Sequence, residues 1–179
     1  MLDRQMIAVV KPFLDQAAGT IHARGISANQ VSLAGFACGI IAALMIAAGL
    51  VQAAVVPLVI NRLCDGLDGA VARREGPTDR GAFLDITLDF LFYAGIPLAF
   101  AFCNPLTNAL PAAVLLASFI GTGVSFLAFA IMAEKRGEKS AAYPSKAFYY
   151  LGGLTEGTET IICFVAMCLF RDWFPVLAY

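Results

Sequence analysis

The stretch NRLCDGLDGAVARREGPTDRGAFLDITLD, residues 61–89, places four of its five aspartates inside segments that are otherwise apolar. They are Asp65, Asp68, Asp85 and Asp89. A carboxylate at membrane depth costs about 3 kcal/mol, so such residues pair with a partner or line a polar cavity. A bound divalent cation is the partner that best explains several acids converging on one place.

The spacing of these aspartates predicts where they lie on helices. Asp65 and Asp68 are three residues apart and Asp85 and Asp89 are four apart, so each pair shares one helix face. Between the pairs, the Gly76–Pro77 step breaks the helical pattern. We therefore expect a helical hairpin whose arms present the two acidic pairs to each other. Oxygen ligands of this kind suit Mg²⁺, Mn²⁺ or Ca²⁺ better than zinc.

The composition predicts an all-α, polytopic transmembrane helix bundle. Of the 179 residues, 60% are hydrophobic and only 14% are charged, and the mean hydropathy is +0.78. Such values are typical of membrane proteins rather than soluble ones. We expect a single membrane domain over residues 1–179, with membrane lipid around it and no nucleic-acid partner.

The chain divides into an amino-terminal segment and a transmembrane bundle. Residues 1–25 carry apolar residues at helical spacing with charges between them, which predicts an amphipathic interfacial helix. A helix that packs against a partner is the alternative. Residues 26–179 carry five stretches long enough to cross the membrane: 27–49, 52–73, 81–103, 109–133 and 147–170.

The basic residues predict the orientation of the bundle. Lysines and arginines concentrate in the amino-terminal segment, around the aspartates and between Lys135 and Lys146. If these connections all face the cytoplasm, the pattern follows the positive-inside bias. We therefore expect an integral protein of the inner, cytoplasmic membrane with its acidic pairs near the cytoplasmic face.

The spaced pattern D-x2-D-G-x2-A-R-x7-G-x3-D-x3-D, which runs from Asp65 to Asp89, resembles the signature of the CDP-alcohol phosphotransferase (CDP-alcohol phosphatidyltransferase) family. That resemblance implies a phospholipid-synthesis enzyme that moves a phosphatidyl group from a CDP-linked lipid, such as CDP-diacylglycerol, to an alcohol and releases CMP. We expect Asp65, Asp68 and Asp85 to hold two Mg²⁺ or Mn²⁺ ions. Asp89, one turn deeper, is the candidate general base.

Other positions of the motif are expected to contact the donor. Gly69 and Gly81 allow a phosphate or another backbone to approach closely, with Ala72 between them in the pattern. Arg73 offers a forked donor to phosphate, although it could instead pair with a carboxylate. Asn29 resembles the asparagine of a T-P-N-x-x-T segment that lies near the nucleotide in the family, so we expect it in the nucleotide site. The alternative is that Ser27 or Asn29 serves as the N-cap of the first span.

The acceptor half of the site is less clearly marked. Lys135, Arg136 and Lys146 form a basic connection that either follows the positive-inside bias or binds a phosphate on the acceptor. Glu156 and Glu159 share a helix face and are expected either to pair with an arginine or to shape the acceptor pocket.

Two other classes of protein remain open from the residues. An intramembrane prenyltransferase also binds a diphosphate through Asp-rich helices, but it uses two widely separated motifs. A non-enzymatic cation-binding protein would explain the acids but not the fixed Gly, Ala and Arg positions. The family usually has six spans where this sequence supplies five, and the resemblance implies a homodimer.

Overall fold

The computed structural model describes residues 2–136 and 157–179, with side chains from residue 10 onward. The regular structure in these residues is entirely helical, so the predicted all-α fold class is confirmed. The elements are α1 (Leu2–Ala23), α2 (Ala28–Ala47), α3 (Val55–Glu75), α4 (Asp79–Cys103), α5 (Pro105–Lys135), α6 (Gly157–Leu169), a 3-10 turn (Arg171–Trp173) and the short helix α7 (Phe174–Leu177).

Three of the described helices, α2, α4 and α5, are long and apolar enough to cross a membrane. A further candidate is α6 together with Arg171–Leu177, although the chain bends by 117° between them. Helix α3 has 21 residues, but its second half carries several Asp and Arg residues. A helical membrane bundle is therefore confirmed. The number of five spans stays a prediction, since residues 147–156 lie outside the described part of the chain.

The α3–α4 connection forms the predicted hairpin turn. Gly76 follows the last residue of α3 with a φ of +95°, a backbone conformation that residues with a Cβ rarely adopt. Thr78 then caps α4, because its hydroxyl oxygen accepts a hydrogen bond from the Gly81 N–H at 3.1 Å. The break predicted at Gly76–Pro77 is therefore confirmed, and it starts α4 a turn and a half before Asp85.

Helix α2 is the support on which the two acidic helices pack. Both α3 and α4 contact α2 extensively, whereas α3 and α4 make few direct contacts with each other. Close approach depends on two glycines of α2. A Cβ on Gly35 would lie 2.6 Å from the Cys64 Cβ, and one on Gly39 would lie 2.8 Å from the Phe92 Cδ2. The acidic arms consequently flank a crevice whose floor is α2.

Helix α1 lies against the outer side of α3. Leu14 and Ala18 pack with Ala70 of α3 in a small apolar cluster, and Asp15 Oδ1 lies 3.5 Å from Arg73 Nη2. Part of the apolar face of α1 is thus covered by protein, as the partner-packing alternative predicts. Its location at the membrane surface stays a prediction.

At the opposite end of the bundle the chain closes on an aromatic core. The rings of Phe100 and Phe174 stack with their centroids 4.3 Å apart and their planes 10° apart. Asn108 is buried there and donates a hydrogen bond to the Phe100 carbonyl oxygen at 3.0 Å. The segment after Arg171 is therefore a short helix anchored by Phe174 at the end of the bundle.

Candidate active site

The three aspartates predicted as metal ligands meet in the crevice between α3 and α4. One carboxylate oxygen from each of Asp65, Asp68 and Asp85 lies within 4.8 Å of the others. Asp68 is buried, Asp65 is half-buried and Asp85 is exposed. All three line a cavity of about 20 Å³, which is room for about one or two water-sized groups. The hairpin interpretation predicted this convergence.

The donor set fits a hard divalent cation. Mg²⁺ and Ca²⁺ bind carboxylate oxygens at about 2.0–2.6 Å, so oxygens up to about 4–5 Å apart can share one ion. Three carboxylates at this separation repel one another unless a cation offsets their charge. The aspartate cluster could therefore hold a metal ion.

Asp89 also lines the cavity, but its carboxylate pairs with an arginine. Its Oδ1 accepts a hydrogen bond from Arg62 Nη2 at 2.8 Å. Arg62 also places Nη1 3.6 Å from Asp65 Oδ2, so it bridges α3 and α4. Arg62 is not among the site residues predicted from the sequence, although its place one turn before Asp65 on the same face of α3 is a usable signal.

Two further polar residues connect the site to α2. Ser32 of α2 donates a hydrogen bond from Oγ to Asp68 Oδ2 at 2.5 Å. Asn61 donates to the Gly35 carbonyl oxygen of α2 at 2.9 Å. Neither residue was selected from the sequence, although Ser32 stands at the last threonine position of T-P-N-x-x-T.

Two of the predicted nucleotide contacts are neighbours near the α3–α4 turn. The side-chain oxygen of Asn29 lies 3.5 Å from the position that a Cβ on Gly81 would occupy. Ser27, not Asn29, caps α2, because its hydroxyl accepts from the Gln30 N–H. Asn29 is therefore not used as the helix cap, and it lies beside a glycine of the motif.

The remaining residues predicted to contact the CDP-linked lipid lie on α3, closer to the α3–α4 turn than Asp65 and Asp68 are. Arg73 is half exposed and contacts Asp15, while its Nη1 lies 3.6 Å from the Cβ position of Gly69. Ala72 packs with the apolar cluster between α1 and α3. These residues do not line the small cavity. Their assignment to the donor stays a prediction.

The predicted acceptor residues are only partly described. Lys135 ends α5 and Arg136 follows it, both exposed and on the same side of the bundle as the aspartates. Lys146 and Glu156 lie outside the described residues, and Glu159 lies in the first turn of α6. Neither Lys135 nor Arg136 lines the cavity, so their role stays a prediction.

The fold and the acidic site agree with the comparison with known families. Residues 26–178 match the family model described as CDP-alcohol phosphatidyltransferase, so the chain belongs to that family. The resemblance drawn from the motif is confirmed. Membership in this family supports phosphatidyl transfer in general and an integral membrane protein.

Two relatives match significantly. The chain is 52% identical over 174 residues to the inner membrane protein YnjF of Escherichia coli (strain K12), covering 97% of this chain and 84% of that protein. It is 34% identical over 94 residues to the archaetidylinositol phosphate synthase of Pyrococcus horikoshii, covering 49% of this chain and 47% of that protein. No solved structure matches the chain significantly.

Proposed function

We propose that this protein transfers a phosphatidyl group from a CDP-linked lipid, such as CDP-diacylglycerol, to an alcohol and releases CMP. The observation that carries the proposal is the division of the four aspartates. Three converge closely enough to share a cation, while Asp89 is bound to Arg62 instead. Family membership supports the same general reaction.

Asp65, Asp68 and Asp85 are the residues that would hold Mg²⁺ or Mn²⁺, with two ions expected. When bound, such ions neutralise the charge of a diphosphate and stabilise the leaving group. The chain supplies oxygen ligands from two helices and a hydroxyl that orients one of them. Ser32, through its hydrogen bond to Asp68, would fix that ligand and so the shape of the metal site.

Asp89 would act as the general base. It would take the proton from the acceptor hydroxyl as that oxygen attacks the phosphorus atom bearing the lipid. A new oxygen–phosphorus bond then forms, and the bond from this phosphorus to the bridging oxygen of CMP breaks. The bridging oxygen leaves with the electron pair, so the products are CMP and a new phospholipid.

The donor would bind between the cavity and the α3–α4 turn. Gly69 and Gly81 would allow its phosphates to approach, with Asn29 near the nucleotide and Ala72 completing the helix surface. The Arg73–Asp15 contact is half exposed, and such pairs contribute only about 0–1 kcal/mol. A phosphate of the donor can therefore replace Asp15 as the partner of Arg73.

The acceptor side and the assembly belong to the same proposal. Lys135, Arg136 and Lys146 would attract an acceptor that carries phosphate.

The site would face the cytoplasm, because the basic residues of α3 and of the α5 end lie on its side. A homodimer is also proposed, and Gly121 of α5 leaves open space for a close helix contact.

The test is an acceptor screen with purified protein in lipid. CDP-diacylglycerol is incubated with serine, glycerol 3-phosphate, inositol phosphate or choline-like alcohols, with Mg²⁺, Mn²⁺ or EDTA. We expect metal-dependent release of CMP and one new phospholipid in the mass spectrum. Stoichiometric Mn²⁺ binding without CMP release for every acceptor would instead support a non-enzymatic cation-binding protein.

The acceptor residues can be tested in the same assay. Lys135→Ala and Arg136→Ala should raise the acceptor concentration needed for half-maximal rate if the acceptor carries phosphate. An unchanged acceptor requirement would reduce both residues to determinants of membrane topology.

A further inference from the structure

Arg62 is more completely engaged than its place outside the family motif suggests. Its side chain is only 15% exposed, and three of its nitrogens have partners. Nη2 donates to Asp89 at 2.8 Å, Nη1 to the Tyr93 hydroxyl at 3.4 Å and Nε to the Asn61 side-chain oxygen at 2.8 Å. A guanidinium with these contacts has one orientation, because its donors form a rigid fork.

The surroundings of Arg62 fix that orientation from two sides. Asn61, which accepts from Arg62, is itself buried and donates to the Gly35 carbonyl of α2. On the other side, the guanidinium carbon lies 4.5 Å from the centre of the Phe92 ring of α4, a favourable cation–π distance. Arg62 of α3 is thus held directly by residues of α4, and its neighbour Asn61 links it to α2.

Arg62 links Asp89 of α4 to α3. Helices α3 and α4 make few direct contacts, and the Arg62–Asp89 pair spans the gap between them. The carboxylates close enough to share a cation are those of Asp65, Asp68 and Asp85. We infer that Arg62 is the positioning residue for Asp89, holding its carboxylate across this gap and outside the metal-ligand set.

The inference rests on the proposed function. It explains why Asp89 acts as the general base while Asp65, Asp68 and Asp85 hold the metal. With Oδ1 bound to Arg62, the carboxylate plane of Asp89 is fixed and Oδ2 is the oxygen that receives the acceptor proton. Without Arg62, the Asp89 side chain can turn toward the three neighbouring ligands. Misplacement of a catalytic group by about 1 Å can cost about 100-fold in rate.

The test replaces Arg62 and measures activity and metal binding separately. In Arg62→Ala we expect kcat to fall about 10- to 100-fold while the KM for CDP-diacylglycerol stays within about threefold. Mn²⁺ binding, followed by electron paramagnetic resonance, should keep its stoichiometry and become tighter, because a cation 3.6 Å from Asp65 has been removed. Arg171→Ala, at the exposed opposite end of the bundle, is the matched control and should leave both measurements unchanged.

Two further measurements separate orientation from charge. Arg62→Lys keeps the charge but cannot make the three contacts of the fork, so it should recover less than half of the lost kcat. Added guanidinium chloride should partly restore kcat in Arg62→Ala, whereas equal concentrations of ammonium chloride should not. Full activity in Arg62→Lys would overturn the positioning role.

The outcome distinguishes this inference from the proposed function. If the wild type releases no CMP with any acceptor, the proposed function fails. If the wild type is active and Arg62→Ala keeps its kcat, only the inference fails. Weaker Mn²⁺ binding in Arg62→Ala would also contradict it, because Arg62 would then support the metal ligands rather than Asp89.

Discussion

The two ends of the bundle contrast in what fills them. The acidic end, formed by Asp65, Asp68, Asp85, Asp89 and Arg62, encloses about 20 Å³. The opposite end, called the apolar end for its core of stacked Phe100 and Phe174 rings, borders a cleft of about 390 Å³. The lining of that cleft is largely polar, with Asn104, Thr107, Asn108, Arg171 and Asp172 beside Val51, Cys103 and Pro175. The larger cavity is therefore not where the candidate chemistry lies. The converging carboxylates identify the candidate site, whereas choosing the cavity with the larger volume would select the wrong end of the bundle.

The contrast also concerns what holds each end together. At the acidic end, directional hydrogen bonds orient charged side chains: Ser32 donates to Asp68, and Arg62 donates to both Asp89 and Asn61. At the apolar end, the helices are held together by the packing of buried rings such as Phe174 against neighbouring helices. Substitutions at the first should change activity with little loss of folding, and substitutions at the second should do the reverse.

The largest expected effect is at Asp89. Asp89→Asn keeps the size of the side chain and an oxygen that can accept from Arg62, but the amide cannot take a proton. Loss of a general base lowers kcat by about 10²- to 10⁴-fold. Kinetics of CMP release should show this loss while Mn²⁺ affinity stays near that of the wild type. Asp68→Asn is the comparison, and equal loss of Mn²⁺ affinity in both variants would refute the separate roles.

The apolar end should give the largest effect on stability. Phe174→Ala removes a fully buried ring that stacks on Phe100, which costs about 3–5 kcal/mol in cores. The free energy of unfolding, measured by detergent titration in mixed micelles, should fall accordingly while kcat of the folded protein stays within about twofold. Phe102→Ala is the matched control, because that ring is 68% exposed. A loss of kcat without loss of stability in Phe174→Ala would contradict the distinction between the acidic end and the apolar end.

A smaller effect is expected at the hydroxyl that orients Asp68. Ser32→Ala removes the donor to Asp68 Oδ2, and loss of such a partner typically costs 10–100-fold in metal affinity or activity. Mn²⁺ titration measures the change. Ser32→Thr keeps the hydroxyl and should bind Mn²⁺ nearly as the wild type does. Ser118→Ala is the control, because that hydroxyl bonds within its own helix, and unchanged affinity in Ser32→Ala would remove Ser32 from the site.

The smallest effect is expected where the acidic end meets its support. Gly35→Ala places a Cβ 2.6 Å from the Cys64 Cβ, so α2 and α3 must separate at a cost of about 1–3 kcal/mol. The unfolding free energy and kcat should both fall, and adding Cys64→Gly should restore them. Gly95→Ala meets no neighbouring atom and serves as the control. Equal stability for the two alanine variants would show that the helices do not depend on this contact.

Spacing along the chain was sufficient to predict the hairpin and its acidic chemistry. The three- and four-residue spacings put Asp65 with Asp68 and Asp85 with Asp89, and the Gly76–Pro77 step turned one arm back on the other. Local rules suffice here, because helix periodicity and the conformational freedom of glycine act over a few residues. The fixed positions of the motif were enough to predict the family.

The position of α2 beneath both arms and the partners of Asp68 and Asp89 depend on packing between distant segments, so local patterns could not predict them. Ser32 meets Asp68 across 36 residues and Arg62 meets Asp89 across 27, and no local periodicity encodes such pairs. The reason is that desolvated charges must find partners wherever packing brings donors to them. That requirement pairs Arg62 with Asp89, while packing brings Asp65, Asp68 and Asp85 close enough together to share a cation.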